Sequence, residues 1–149
     1  MKINGLELNI LYNVVKNNMK NLQFITLIST FLLLISCGSS VKFPVSDLAP
    51  AAEITAQQKE DKNGNTKIEI NANYLANPNR LSPPKSFYVV WGLTENGEVK
   101  NIGRLKQTGN KKVSLETTTP YEIEEVFITA EDEGNINYPS KTEITRKRL

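Results

Sequence analysis

The sequence predicts an all-β body: a seven-stranded antiparallel immunoglobulin-like sandwich. Three observations predict it. Beyond residue 52 the apolar residues recur with period two rather than 3.6. Clusters of Gly, Asn and Pro separate the apolar runs at the intervals expected of short strands. No stretch after Ile35 has the apolar spacing of an amphipathic helix. The chain has 149 residues and a mass of 16.7 kDa, room for one folded unit at roughly 100–200 residues per domain.

The strands are expected over 52–60, 66–75, 86–94, 98–106, 111–118, 124–132 and 141–147. Ile68, Ile70, Ala72 and Tyr74 alternate with Lys67, Glu69, Asn71 and Asn73, the pattern of a half-buried strand. Phe87 to Leu93 is a nearly continuous apolar run and reads as a central strand covered on both faces. Val113, Leu115 and Thr117 alternate with polar residues, as do Val126, Ile128 and Ala130 with Phe127 and Thr129. The polar strand around Thr142 and Ile144 suits an edge. Asn63-Gly64 and Asn96-Gly97 supply type I′ hairpin pairs, and Gly109-Asn110 has the order of a type II′ turn. The expected core is Ile54, Ile68, Ile70, Tyr74, Val89, Trp91, Leu105, Val113, Leu115, Val126 and Ile128. A closed barrel is the alternative architecture.

The front of the chain has different chemistry. Leu22 to Ile35 is apolar but too short for the roughly 20 residues of a spanning helix. Met19 and Lys20 precede it, so it has the layout of a secretory signal whose true start is Met19 or Met1. Leu34-Ile35-Ser36-Cys37 then resembles the lipobox of a bacterial lipoprotein. That resemblance implies cleavage between Ser36 and Cys37 and acylation of Cys37, the chain's single cysteine. It implies a membrane partner reached through lipid on Cys37. Without an aspartate after the cysteine, the family's sorting rules imply the periplasmic face of the outer membrane. The expected organisation is 1–18 upstream sequence, 19–36 signal peptide, 37–52 lipidated cysteine and tether, and 53–149 sandwich. Phe43 and Val45 are the tether residues able to dock on the body.

A second resemblance covers about Thr66 to Ile144. Tyr88-Val89-Val90-Trp91, Asn96-Gly97, Asn101-Ile102-Gly103-Arg104-Leu105, Thr119-Pro120 and Val126-Phe127-Ile128-Thr129-Ala130-Glu131 occur in that order. This order is similar to the extracytoplasmic β-sandwich domain of anti-sigma-K-type anti-sigma factors. It implies a sandwich in an exported setting. The sigma-binding region and transmembrane helix of those proteins have no counterpart here, so sigma-factor binding is not implied.

Charge and composition exclude several functions. Residues 1–37 hold Lys2, Lys16 and Lys20 against Glu7, leaving a body of zero net charge. A neutral body lacks the basic face nucleic-acid binding requires. The chain has no histidine, which removes Ser-His and Cys-His nucleophiles and the usual zinc ligands. Asp61 to Asn65 opens like an EF-hand loop, but Thr66 and Ala72 occupy its glycine and glutamate positions, so it reads as a turn. Glu131 to Asn135 likewise reads as a turn, and Glu122, Glu124 and Glu125 as a solvated face. No metal site, catalytic site or cofactor is expected. Tyr74, Tyr121 and Tyr138 are the residues able to form a ligand platform at a loop end. The expected function is a non-enzymatic, membrane-anchored interaction or structural module of the cell envelope, with an envelope protein as partner. The alternative is a periplasmic ligand sensor or carrier using those tyrosines.

Overall fold

The computed structural model describes Ser40–Leu149, together with Asn9 and Lys16. Ser36, Cys37 and the Leu22–Ile35 run therefore lie outside the described residues. Among the described residues nine strands form two antiparallel sheets: β1 Ser40–Lys42, β2 Glu53–Glu60, β3 Thr66–Asn73, β4 Phe87–Thr94, β5 Val99–Arg104, β6 Lys106–Gly109, β7 Lys112–Thr119, β8 Ile123–Glu131 and β9 Glu143–Arg148. The larger sheet has the order β1-β2-β3-β7-β6 and the smaller β5-β4-β8-β9. Within Ser40–Leu149 the only helical element is one 3-10 turn, Pro78–Arg80.

Period-two patterning accounts for the inter-sheet core. Ile54, Ala56, Ile68, Ile70 and Ala72 face Tyr88, Val90, Val126, Ile128 and Ala130, all buried. Burial at about 25 cal/mol per Å² of apolar surface is the main force holding the sheets together. Gly92 marks the tightest approach: a Cβ there would lie 2.8 Å from Ile123.

The count of seven strands is corrected to nine, for two reasons. The run expected at 98–106 breaks at Leu105, whose neighbours belong to different sheets. Gly103 sits at φ +136 beside the bulge, with Leu115 packed where a side chain would go. In addition, β1 forms within the segment expected as tether, pairing Val41 with Ala56. Phe43 and Ala49 are then buried on the core, whereas Val45 is 73% exposed.

The expected core also changes membership. Tyr74 is 56% exposed because the chain turns left-handed there, at φ 55, and leaves the sheet. Leu105, Val113 and Leu115 are only partly buried, lining one flank. Val89 and Trp91 are fully buried but point out of the sandwich, where they join Phe127 in a second cluster. Tyr88 and Val90 take the inward positions. The turns differ as well. Gly64 and Gly97 adopt positive φ but the asparagines before them do not, so neither hairpin is type I′. Hydrogen bonds from Gly64 N–H to Asp61 O and from Gly97 N–H to Thr94 O close longer loops instead. In the third turn Lys111, at φ 60, takes the left-handed position expected of Gly109.

The outer cluster is covered by the segment after β8, with Ile136 packed on it. A chain of hydrogen bonds holds that cover. The Trp91 indole N–H donates to Thr129 Oγ1 (2.8 Å), which donates to Glu131 Oε1 (2.5 Å). The same oxygen accepts from Ser140 N–H at 2.8 Å. Glu131, expected in a turn, is thus a buried strand residue, 3% exposed. Replacing Thr129 by valine leaves the buried Trp91 indole N–H without its acceptor and takes one of two donors from Glu131 Oε1, at about 1–3 kcal/mol for each bond lost. Thr129→Val is expected to lower unfolding free energy by about 2–4 kcal/mol, read by urea titration of the tryptophan fluorescence. A loss under about 0.5 kcal/mol would mean the chain of bonds does not hold the cover.

Candidate functional site

The two flanks of the sandwich are built differently. On the β1–β9 flank the chain crosses between sheets after β1: Phe43 N–H bonds Ile54 O (2.9 Å), and Thr145 Oγ1 donates to Pro44 O (3.0 Å). Buried Phe43, Ser46 and Ala49 close that side. On the β5–β6 flank, β6 pairs only with the first part of β7, ending at Lys106–Ser114. Beyond that point β7 has no strand neighbour on this side, and β5 is the outer strand of its sheet.

The result is an open trough of about 1190 Å³ that wraps the free edge of β5. Leu115 and Thr117 of β7 form one wall with Tyr121; Gly134 to Tyr138 form the other. The second wall is fixed by Asn101, whose Nδ2 donates to Ile136 O at 2.8 Å. Alternation of the antiparallel ladder turns the N–H groups of Val99, Asn101 and Arg104 away from β4, into the trough. At one end Lys100 pairs with Glu98 (2.9 Å) and lies 5.0 Å from the Tyr121 ring centre. The Glu98 carboxylate raises the Lys100 ammonium pKa above its ordinary value. At the other end stand Arg104, stacked 5.2 Å over the Phe87 ring, and Lys106. Neither has an ion-pair partner among the described residues. The trough is therefore positive at its β6 end.

Of the three tyrosines expected as a platform, Tyr121 (44% exposed) and Tyr138 (83% exposed) line this trough. Tyr74 does not. It lies over a separate cleft of about 730 Å³ with Tyr88, Arg80 and Lys111. Tyr74 N–H bonds Lys111 O at 2.9 Å, so two left-handed residues are tied together there. The lipidation position Cys37 is outside the described residues. The β5 edge, Arg104 and Lys106 escaped sequence reasoning. The available signal was Gly103 within a strand run, the mark of a bulge or a close backbone approach.

Other polar groups have structural roles. Asp61 accepts from Asn63 N–H (2.8 Å), Asn65 N–H (2.9 Å) and Asn65 Nδ2 (3.1 Å), so its oxygens serve the turn. The Asn65 backbone bond is the main cause of its lowered pKa. Glu125 and Glu143 both pair with Arg146, and Glu124 with Arg148, so two of the three carboxylates in the acidic stretch are engaged by β9. Among the described residues no three His, Cys, Asp or Glu side chains gather to hold a metal. Comparison of the chain with protein-family models, curated proteins and solved structures finds no match.

Tyr88 offers a pH test of the packing around the second cleft. Its hydroxyl donates to Ala76 O at 2.8 Å, and burial pushes its pKa up to about 12 from 10.0. Because the folded value is raised, the stabilisation is complete below pH 10.0 and is lost as pH rises through about 12. Spectrophotometric titration is expected to find one late-ionising tyrosine, with that step absent in Tyr88→Phe. A wild-type titration without that late step would contradict it.

Proposed function

We propose that the chain is an exported, lipid-anchored envelope protein whose sandwich serves as an interaction module without catalytic chemistry of its own. The observation that carries this reading is Leu34-Ile35-Ser36-Cys37, at the end of the apolar run, with Cys37 three residues before β1. Acylation of Cys37 with two or more chains would hold the protein firmly, at about 0.8 kcal/mol per buried methylene. Gly38 and Ser39 then leave only about 10 Å between the lipid and the first strand, at about 3.3 Å per residue. On this reading the body rides close to the bilayer, with the Ser40 end of the larger sheet nearest it.

The body fits an immunoglobulin-like assignment. Leaving out β1, the order β2-β3-β7-β6 opposite β5-β4-β8-β9 corresponds to ABED facing CFG with one additional strand next to C. Trp91 departs from the pattern of antibody domains, where the tryptophan of strand C packs between the sheets. The expected outer-membrane location remains part of the proposal, as does the periplasmic face. A second reading, a ligand sensor or carrier, is favoured by Tyr121 and Tyr138 sharing one trough, while Tyr74 on another surface counts against a three-tyrosine platform.

Metabolic labelling with palmitate tests the anchor. Wild-type protein is expected to take up label and sediment with membranes, and Cys37→Ala to lose the label. Equal labelling of the two would contradict the anchor.

A further inference from the structure

We infer that the open flank is a peptide-docking site: an extended, acidic segment of a partner protein adds to the free edge of β5 as a further strand of the smaller sheet. The inference names the partner class for the interaction module proposed above and rests on that reading, though not on the lipid.

Three observations carry it. First, the register leaves the N–H groups of Val99, Asn101 and Arg104 facing the trough. An exposed row of strand hydrogen-bonding groups is a template for another chain, and natural sheets usually cover or shorten such edges. The opposite flank is covered in that way by Phe43–Ala49; this one is left open. Second, the trough reaches both faces of β5. A strand paired there alternates its side chains between the Leu115, Thr117 and Tyr121 wall and the Asn137 and Tyr138 wall. A small globular ligand would use only one of these walls. Third, Arg104 and Lys106 supply two cations without ion-pair partners among the described residues. Lys100 at the far end is already occupied by Glu98. Charge complementarity therefore selects a segment whose acidic side chains fall beside the β6 end. Main-chain bonds to β5 would supply most of the affinity, and the two walls and two cations the choice of sequence.

The test is amide NMR of the full chain in detergent micelles, titrated with a capped peptide of alternating valine and glutamate and with its valine–lysine counterpart. The acidic peptide is expected to shift the Val99, Asn101 and Arg104 amides and slow their hydrogen exchange. The lysine peptide is expected to leave them unchanged. Joint replacement of Arg104 and Lys106 by glutamate is expected to weaken binding at least about tenfold. Val99→Pro removes one outward N–H at an edge position that tolerates proline, and is expected to weaken binding without lowering the melting temperature appreciably. N-methylating alternate residues of the acidic peptide tests the same bonds without altering the protein, and is expected to abolish binding.

The inference is overturned if millimolar acidic peptide leaves the β5 amides unmoved. It is also overturned if both peptides act alike, or if the N-methylated peptide binds as well as the parent. Cys37 takes no part in the measurement, so failure of the anchor would be seen separately. Envelope crosslinking that maps a partner to another face would refute this site and leave the module reading standing.

Discussion

Sealing both faces of β4 is the constraint on which the rest of the molecule depends. Its inner face meets β2 and β3 residues across the sandwich, an ordinary apolar contact. Its outer face carries Val89 and Trp91, which no second sheet covers. An indole and a valine left in water would forfeit a few kcal/mol of transfer energy. The chain after β8 folds back over them, and Glu131 holds it there through Thr129 and Ser140. That segment continues to Asn137 and Tyr138, one wall of the open trough. Packing on one face of the central strand thereby shapes the proposed docking surface at the sheet's edge.

Period two makes most of the strands legible, because one inter-sheet core demands alternation. It places β3, β4, β7 and β8 within two residues of their observed bounds. It does not say which parity faces inward when both faces are apolar. In Phe87–Leu93 both parities carry large apolar side chains, so Tyr88 and Trp91 could exchange roles, and long-range contact with Ile136 decides. Alternation is equally silent on Leu105, since a strand that changes sheets keeps its pattern through the corner. β1 is illegible for another reason. Ser40–Lys42 has no pattern of its own and is ordered by pairing with β2.

The candidate site was less legible still. Tyrosines can be picked out by type, but which ones meet depends on the connections. Tyr121 follows β7 and Tyr138 precedes β9, so both end on the β5 flank, while Tyr74 leaves β3 toward another cleft. Free hydrogen-bonding groups of an edge strand have no sequence signature, since every residue carries them. Arg104 and Lys106 acquire meaning only when β6 is seen to stop short along β7. The proposed anchor is the reverse case. Its motif is entirely local and is read from four adjacent residues, whatever the fold beyond it.

Two flanks treated differently give the proposed function its shape. The segment expected as a loose tether closes one side of the body. The opposite side keeps an exposed edge, cationic at one end, within a domain proposed to sit close to a membrane. Native-state hydrogen exchange tests this account most directly, because one data set reads both the seal and the edge. The account predicts a strongly protected Trp91 indole N–H together with fast exchange at the Val99, Asn101 and Arg104 amides. A rapidly exchanging indole, or β5 amides protected as well as those of β4, would contradict it.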